Sequence, residues 1–304
     1  MESLDKSKFR IIGIDESEAE TIVRPNLTYW QDAWRRLKQN KVAIFSLFLL
    51  ILLFLLCIFG PYIGPDYKFQ DMSVRNQGPS AAHWFGTDTL GRDLFSRLWI
   101  GGRVSLSIGF VGTLIEVIIG CIYGGISGYF GGSVDDVMMR IVEILNSIPY
   151  MIVVIILSVI LKPGIVSLLL ALCITGWTGM ARMVRGQVMQ LKESEYILAA
   201  KALGSDSNRI IFKHLIPNTI GIIIVYTTFD IPSFIFAEAF LSFIGLGIQP
   251  PKTSWGALCS YGQQTMDFYP HQLLFPALAI CITMLAFNLL GDGLRDALDP
   301  KLRQ

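Results

Sequence analysis

From Val42 to Ile63 the chain carries no charged residue. A helix of that length, rising about 1.5 Å per residue, matches the roughly 30 Å of a bilayer's hydrocarbon core. A soluble surface helix keeps a polar face, and this run has none. Further apolar runs follow at residues 104–129, 141–161, 165–183, 219–247 and 273–290. The second is rich in glycine, the third contains Pro149, and the fifth is expected to be interrupted near Asp230 and Pro232. Six such spans make the fold class all-α, a polytopic membrane protein with six transmembrane helices. A mean hydropathy of +0.52 with 16% charged residues agrees.

The polar stretch before Lys41 is too long for the basic start of a cleavable leader, so 42–63 reads as an uncleaved first span. Six spans put both termini on one side. With the N-terminus inside, the cytoplasmic segments gather Arg35, Arg36, Lys38, Arg140, Arg182, Arg185, Lys192, Lys201, Arg209 and Lys213 near span ends. The external segments hold fewer, among them Arg92, Arg97 and Arg103, so both termini are expected in the cytoplasm. The chain then divides into an N-terminal tail (1–41), the first span (42–63), an external loop (64–103), a five-span core (104–292) and a C-terminal tail (293–304). The core contains a cytoplasmic loop over 193–218.

Several chemistries have no residues to carry them. No glycine precedes a lysine, so there is no P-loop for ATP. His83, His214 and His271 are scattered and the five cysteines form no CxxC pair, so no metal site or disulfide framework follows. No GxSxG elbow is present, and no catalytic residue is assigned. A net charge of +1 offers nothing for nucleic acid.

The loop over 193–218 reads as two short helices. Glu193 and Glu195 suit a helix N-terminus, Ala199 and Ala200 favour helix and leave a shallow surface, and Gly204 suits a left-handed stop. Ser205 or Asp206 can cap the next helix, and Pro217 fits near the start of the next span. Such a segment either enters a groove on a partner or lies on lipid, and the pattern alone does not separate the two.

The residues then resemble a known family. Glu195, Tyr196, Ala199, Ala200 and Gly204, followed by His214, Pro217 and Asn218, are similar to the EAA loop of ABC importer permeases. That family usually has an aliphatic residue where His214 stands. The stretch with Gly86, Thr87, Asp88, Gly91, Arg92 and Asp93 resembles the C-type permease subunit of bacterial oligopeptide and dipeptide importers. So do Gly131-Gly132-x-x-Asp135, Glu238-Ala-x-Leu241-Ser242, Ser254-Trp255-Gly256 and Gly291-Asp-Gly-Leu-Arg295-Asp296. The resemblance runs from about Lys38 to the C-terminus. It implies the type I ABC importer permease fold in a bacterial cell membrane. It implies a heterodimer with a B-type permease subunit, two ATP-binding subunits that hold ATP and Mg, and an extracellular peptide-binding protein. No cofactor would be bound by this chain, and the substrate would be oligopeptides, with dipeptides, nickel complexes or haem as alternatives. A gradient-driven secondary transporter is the reading from another class, but no internal repeat supports it.

Four further features carry expectations. Asp88/Arg92 and Asp93/Arg97 stand four apart and predict a short external amphipathic helix, with Trp84 and Trp99 at the membrane surface. Its alternative use is contact with a binding protein. Asp230, near mid-membrane and two residues before Pro232, either faces a translocation path, where it could meet a peptide amino terminus, or makes a bundle-interior hydrogen bond. Glu238 is expected to be structural, and residues 248–269 to form an external cap or loop.

Overall fold

The computed structural model describes residues 28–161 and 164–299. The tail before Thr28, the Lys162-Pro163 turn and residues 300–304 lie outside the described residues. Twelve helical elements follow one another. They are α1 (Tyr29–Gln39), α2 (Lys41–Phe59), α3 (Leu94–Phe130), α4 (Gly132–Ser147), α5 (Tyr150–Leu161) and α6 (Ile165–Leu191). Then come α7 (Glu195–Ala202), α8 (Ser207–Arg209), α9 (Ile216–Asn218), α10 (Ile220–Phe243), α11 (Trp255–Gln263) and α12 (His271–Leu298). A π-helical turn, Ile210–Leu215, joins α8 to α9.

Five of these helices are long and apolar enough to cross a membrane, and α4 with α5 makes a sixth if the bent pair counts as one span. The third span, expected over 141–161 with Pro149 inside it, is bent by 76° between α4 and α5. Ile148, ahead of Pro149, takes an extended backbone (φ −83°, ψ 124°), because a residue before proline is driven out of the helical region. The fifth span departs from the sequence reading. Pro232 lies inside α10, which runs unbroken from Ile220 to Phe243, so the interruption expected there is absent. The proline removes one ladder donor, but α10 is packed along α3 and α12, and tertiary contact holds the helix through the defect.

The helix α3 is also longer than the apolar run that announced it. It begins at Leu94, where Asp93 caps it by accepting from the Ser96 amide at 2.8 Å. Its glycines let it lie against α6. A Cβ at Gly120 would meet Met180, one at Gly124 would collide with the Ala181 carbonyl, and one at Gly128 would sit 2.8 Å from the Arg185 carbonyl. Small residues every fourth position are how helix backbones approach closely in lipid.

Three apolar clusters hold the bundle. One joins α2, α3, α11 and α12 around Leu53, Phe95, Trp99, Trp255 and Phe287. A second joins α3, α6 and α10 around Ile108, Leu172 and Phe234. The third lies at the other end, under α7, with Met180, Val184, Val188, Ile197, Ile210 and Leu215. Large apolar side chains on α2, α4 and α5, such as Phe45, Val137 and Val159, stay exposed, as lipid-facing surfaces require.

The stretch before α3 is a knot of turns, and the short amphipathic helix expected there does not form. Thr87 is its hub: it pairs with Asp93 as an isolated bridge, its hydroxyl donates to the Val74 carbonyl, and its carbonyl accepts from Gln272 of α12. Asp88 does pair with Arg92, at 2.7 Å, but inside a turn whose amides at Leu90 and Arg92 it also accepts. Asp93 faces His83 at 2.9 Å, and Arg97 reaches Asp88 at 3.6 Å, so the expected Asp93/Arg97 pair is not made. Gly91 has φ +71°, and any Cβ there would strike the Asp71 carbonyl. That positive φ is incompatible with a continuous helix. Trp99 is buried in the core and not at the membrane surface, whereas Trp84 is exposed.

Candidate functional site

The segment from Glu195 to Asn218 protrudes between α6 and α10. The short helix α7 starts at Glu195, and only Ile197 of its residues is buried. The Ile197 side chain drops into the third cluster beside Val188, Ile210 and Leu215, which fixes the helix to the bundle. The other face is presented outward: Tyr196, Leu198, Ala199, Lys201 and Leu203 are exposed, and Leu203 reaches 87%.

The stop after α7 follows from Gly204. Its φ of +79° is left-handed. The Ser205 amide donates to the Ala200 carbonyl at 3.0 Å and the Gly204 amide to the Lys201 carbonyl at 2.9 Å. Those two bonds make a Schellman cap. A Cβ at Gly204 meets nothing, so the position needs glycine for its backbone and leaves open space in front of it. Asp206 then caps α8 by accepting from the Arg209 amide at 3.4 Å.

The π turn was not legible in the sequence. Its wider winding puts Ile210, Ile211 and Leu215 all on the buried side, where Ile211 and Ile216 lie over Gly125 of α3. Asn218 closes the segment on itself. Its side-chain amide donates to the Tyr196 hydroxyl at 3.2 Å and to the His214 carbonyl at 2.7 Å. Pro217 sits at the first turn of α9, where no amide donor is required. The eight positions Glu195, Tyr196, Ala199, Ala200, Gly204, His214, Pro217 and Asn218 therefore fall in one protruding unit.

Charge also joins the neighbouring helices α4 and α6, and one cation of the unit rests on α3. Arg185 of α6 grips Asp135 of α4 with two bonds of 2.5 Å, and the Ser127 hydroxyl of α3 also donates to Asp135. Lys201 of α7 stands 5.2 Å over the Tyr129 ring of α3. Fifty residues separate Asp135 from Arg185, so spacing could not have paired them.

Asp230 of α10 faces a cavity of about 220 Å³ that is also lined by Glu116, Tyr150, Thr175, Tyr226 and Phe234. Pro232, two residues further along the helix, is buried and is not among the lining residues. Glu238 is fully buried and accepts from Ser105 at 2.6 Å and Ser242 at 2.7 Å, which ties α10 to α3. Ser254 caps α11 in the stretch 248–269, so that stretch is a helical cap whose Trp255 is buried under α3. The residues Gly86, Thr87, Asp88, Gly91, Arg92 and Asp93 gather in the turn knot before α3 and are remote in sequence from α7.

Residues 117–304 match the family described as binding-protein-dependent transport system inner membrane component, and residues 28–79 match the N-terminal TM domain of oligopeptide transport permease C. The chain is 53% identical to a dipeptide transport system permease protein of Bacillus subtilis (strain 168), covering 94% of this chain and 90% of that protein. It is 46% identical to the oligopeptide transport system permease protein of the same organism over the full length of both. It is 44% identical to the oligopeptide permease of Escherichia coli (strain K12), over 95% of this chain and 96% of that one. A structure of the MetNI methionine ABC transporter in inward-facing conformations matches with TM-score 0.52 and 19% identity, covering 66% of this chain and 96% of that one, which is a likeness of fold. The chain belongs to the family of binding-protein-dependent transport system inner membrane components, as a permease of the oligopeptide permease C type.

Proposed function

We propose that this chain is one permease half of an ATP-driven importer that carries oligopeptides into a bacterial cell, and that Glu195–Asn218 is where partner ATPases push on it. The observation that carries the proposal is the build of α7. It shows an apolar outer face with a bare Leu203, a glycine stop with open space before it, and a buried inner anchor at Ile197. A helix made for lipid alone needs no such closure on itself through Tyr196 and Asn218.

The mechanism follows from the anchoring. Closure of two ATP-binding subunits around ATP and Mg displaces α7 as a rigid unit. Ile197 passes the displacement to Val188 of α6, and Leu215 and Ile210 pass it towards α10. The Asp135–Arg185 grip makes α4 travel with α6. The bundle then alternates between openings on its two sides, with a related B-type permease as the second half and an extracellular binding protein delivering peptide. On this reading the α7 end of the bundle and both termini are cytoplasmic, as the placement of Arg182, Arg185, Lys192, Arg209 and Lys213 favours. Chemistry on ATP belongs to the partners, and this chain binds no cofactor. The substrate assignment rests on the named relatives, two of which transport oligopeptides by their descriptions.

The test is Gly204→Arg, measured by uptake of a labelled peptide and by co-purification of the ATP-binding subunits from the same membranes. The expected result is loss of both, with the chain still membrane-inserted. Normal uptake and normal co-purification would show that the segment does not dock.

A further inference from the structure

Two buried glutamates show what this fold does with a carboxyl in the membrane. Glu238 is surrounded by hydroxyl donors, from Ser105 and Ser242. Glu116 is 3% exposed, as deeply buried as Asp93, and has no such ring of serine hydroxyls. The one group within hydrogen-bonding reach of its carboxyl is another carboxyl, that of Asp230. Oδ2 of Asp230 and the hydroxyl of Tyr150 are both buried and have no hydrogen-bond partner among the described residues. All three side chains line the same cavity, with Tyr226 and Phe234 completing its aromatic wall.

The pocket sets two carboxyl groups beside the tyrosines Tyr150 and Tyr226. Two carboxyl groups in contact at low dielectric repel unless they share a proton or positive charge lies between them. The cavity's 220 Å³ is roughly seven times the liquid volume of a water, enough for a cationic group and the residue bearing it. Aromatic faces at its rim add attraction for a desolvated cation. Asp230 is ten residues into α10, about 15 Å along the helix axis, and Glu116 is fourteen residues from the end of α3, about 21 Å. Both belong to the middle of the membrane, where charge is retained only for use.

We infer that Glu116 and Asp230 form a cation site that receives the amino-terminal ammonium of a peptide in transit, with the Tyr150 hydroxyl as a third acceptor. It rests on the importer reading above and adds a substrate contact to it. An ammonium carries three donors and no acceptor, the complement of this lining. Glu116 would hold one carboxyl oxygen towards it and Asp230 the unpartnered Oδ2. A neutral amide at the same point, as in an N-acetylated peptide, would bring one donor and no charge.

The experiment uses the assembled transporter in lipid nanodiscs and an apolar carbodiimide, which reaches carboxyl groups within the bilayer. Adducts on Glu116 and Asp230 are quantified by mass spectrometry in the presence of N,N-dimethyl-trialanine, which keeps the positive charge, or N-acetyl-trialanine, which lacks it. The cationic peptide is expected to protect the two carboxyls and the acetylated one to leave them labelled. In Glu116→Gln, labelling of Asp230 is expected to need about tenfold more cationic peptide for the same protection, the loss of one charge-assisted hydrogen bond. Equal protection by both peptides, protection by neither, or an unchanged requirement in Glu116→Gln would overturn the site. ATP-driven uptake of trialanine by the same preparation reports separately on the importer reading: uptake without selective protection overturns the site alone, and absence of both overturns the two together.

Discussion

Glu238 and Glu116 are both buried carboxyl groups, and their surroundings set different roles. Glu238 accepts from hydroxyls on α3 and α10, so its function is cohesion. Glu238→Ala would leave Ser105 and Ser242 without their acceptor in a dry interior. The expected loss is about 2–4 kcal/mol, from two unmade bonds to a charged or polar acceptor. A lowered melting temperature of the purified complex would show it, and Glu238→Gln, which keeps an acceptor, is expected to recover most of the difference. No loss in Glu238→Ala would mean that the hydroxyls find other partners. At the opposite end of the bundle, Ile197→Asp would place a charge in the cluster formed by Val188, Ile210 and Leu215. The expected outcome is a transporter that inserts but takes up peptide at a small fraction of the normal rate, because α7 loses its anchor. Normal uptake by that variant would show that the stroke does not pass through Ile197.

At the scale of elements, the α3–α6 contact decides whether the bundle assembles. A side chain at Gly124 collides with the Ala181 carbonyl, which is backbone and cannot swing aside. Gly124→Val is therefore expected to abolish a monodisperse peak in fluorescence-detected chromatography. Gly186, also on a helix of that pair but facing open space, is the control. Gly186→Ala is expected to be neutral or stabilising by up to about 1 kcal/mol, since alanine favours helix over glycine. If both variants behaved alike, close packing would not be what these glycines serve.

The same elements show how far the sequence could be read. The apolar runs located the spans because lipid imposes a length on them. Gly204 was legible as a stop because only glycine adopts φ +79° without cost. The interruption expected at Pro232 is absent, while the chain does bend at Pro149, where no bend was specified. A proline's local effect is the same in both places, and the neighbouring helices decide which one breaks. The turn knot around Asp88 was read as a helix because i,i+4 charge pairs occur in both. The π turn and the Asp135–Arg185 grip depend on packing across fifty or more residues of chain, which spacing does not record. The placing of Glu116 beside Asp230 depends on the fold, because the two stand far apart in the chain.

At the scale of the whole molecule, the proposed function makes the chain a lever driven from outside. Its membrane half is held by lipid-matched helices and close glycine contacts. Its projecting half is a short helix anchored inward at Ile197 and bare outward at Leu203. Sequence pattern left that projection equally suited to a protein groove and to a lipid surface. The membership in the permease family and the self-closed geometry of Glu195–Asn218 favour the groove. The most direct measurement puts a photo-reactive benzoylphenylalanine at Leu203 in the full transporter within native membranes, and identifies what it joins on irradiation. The account predicts a covalent adduct with an ATP-binding subunit, reduced when Gly204 is also changed to Arg. Adducts with lipid alone would contradict it.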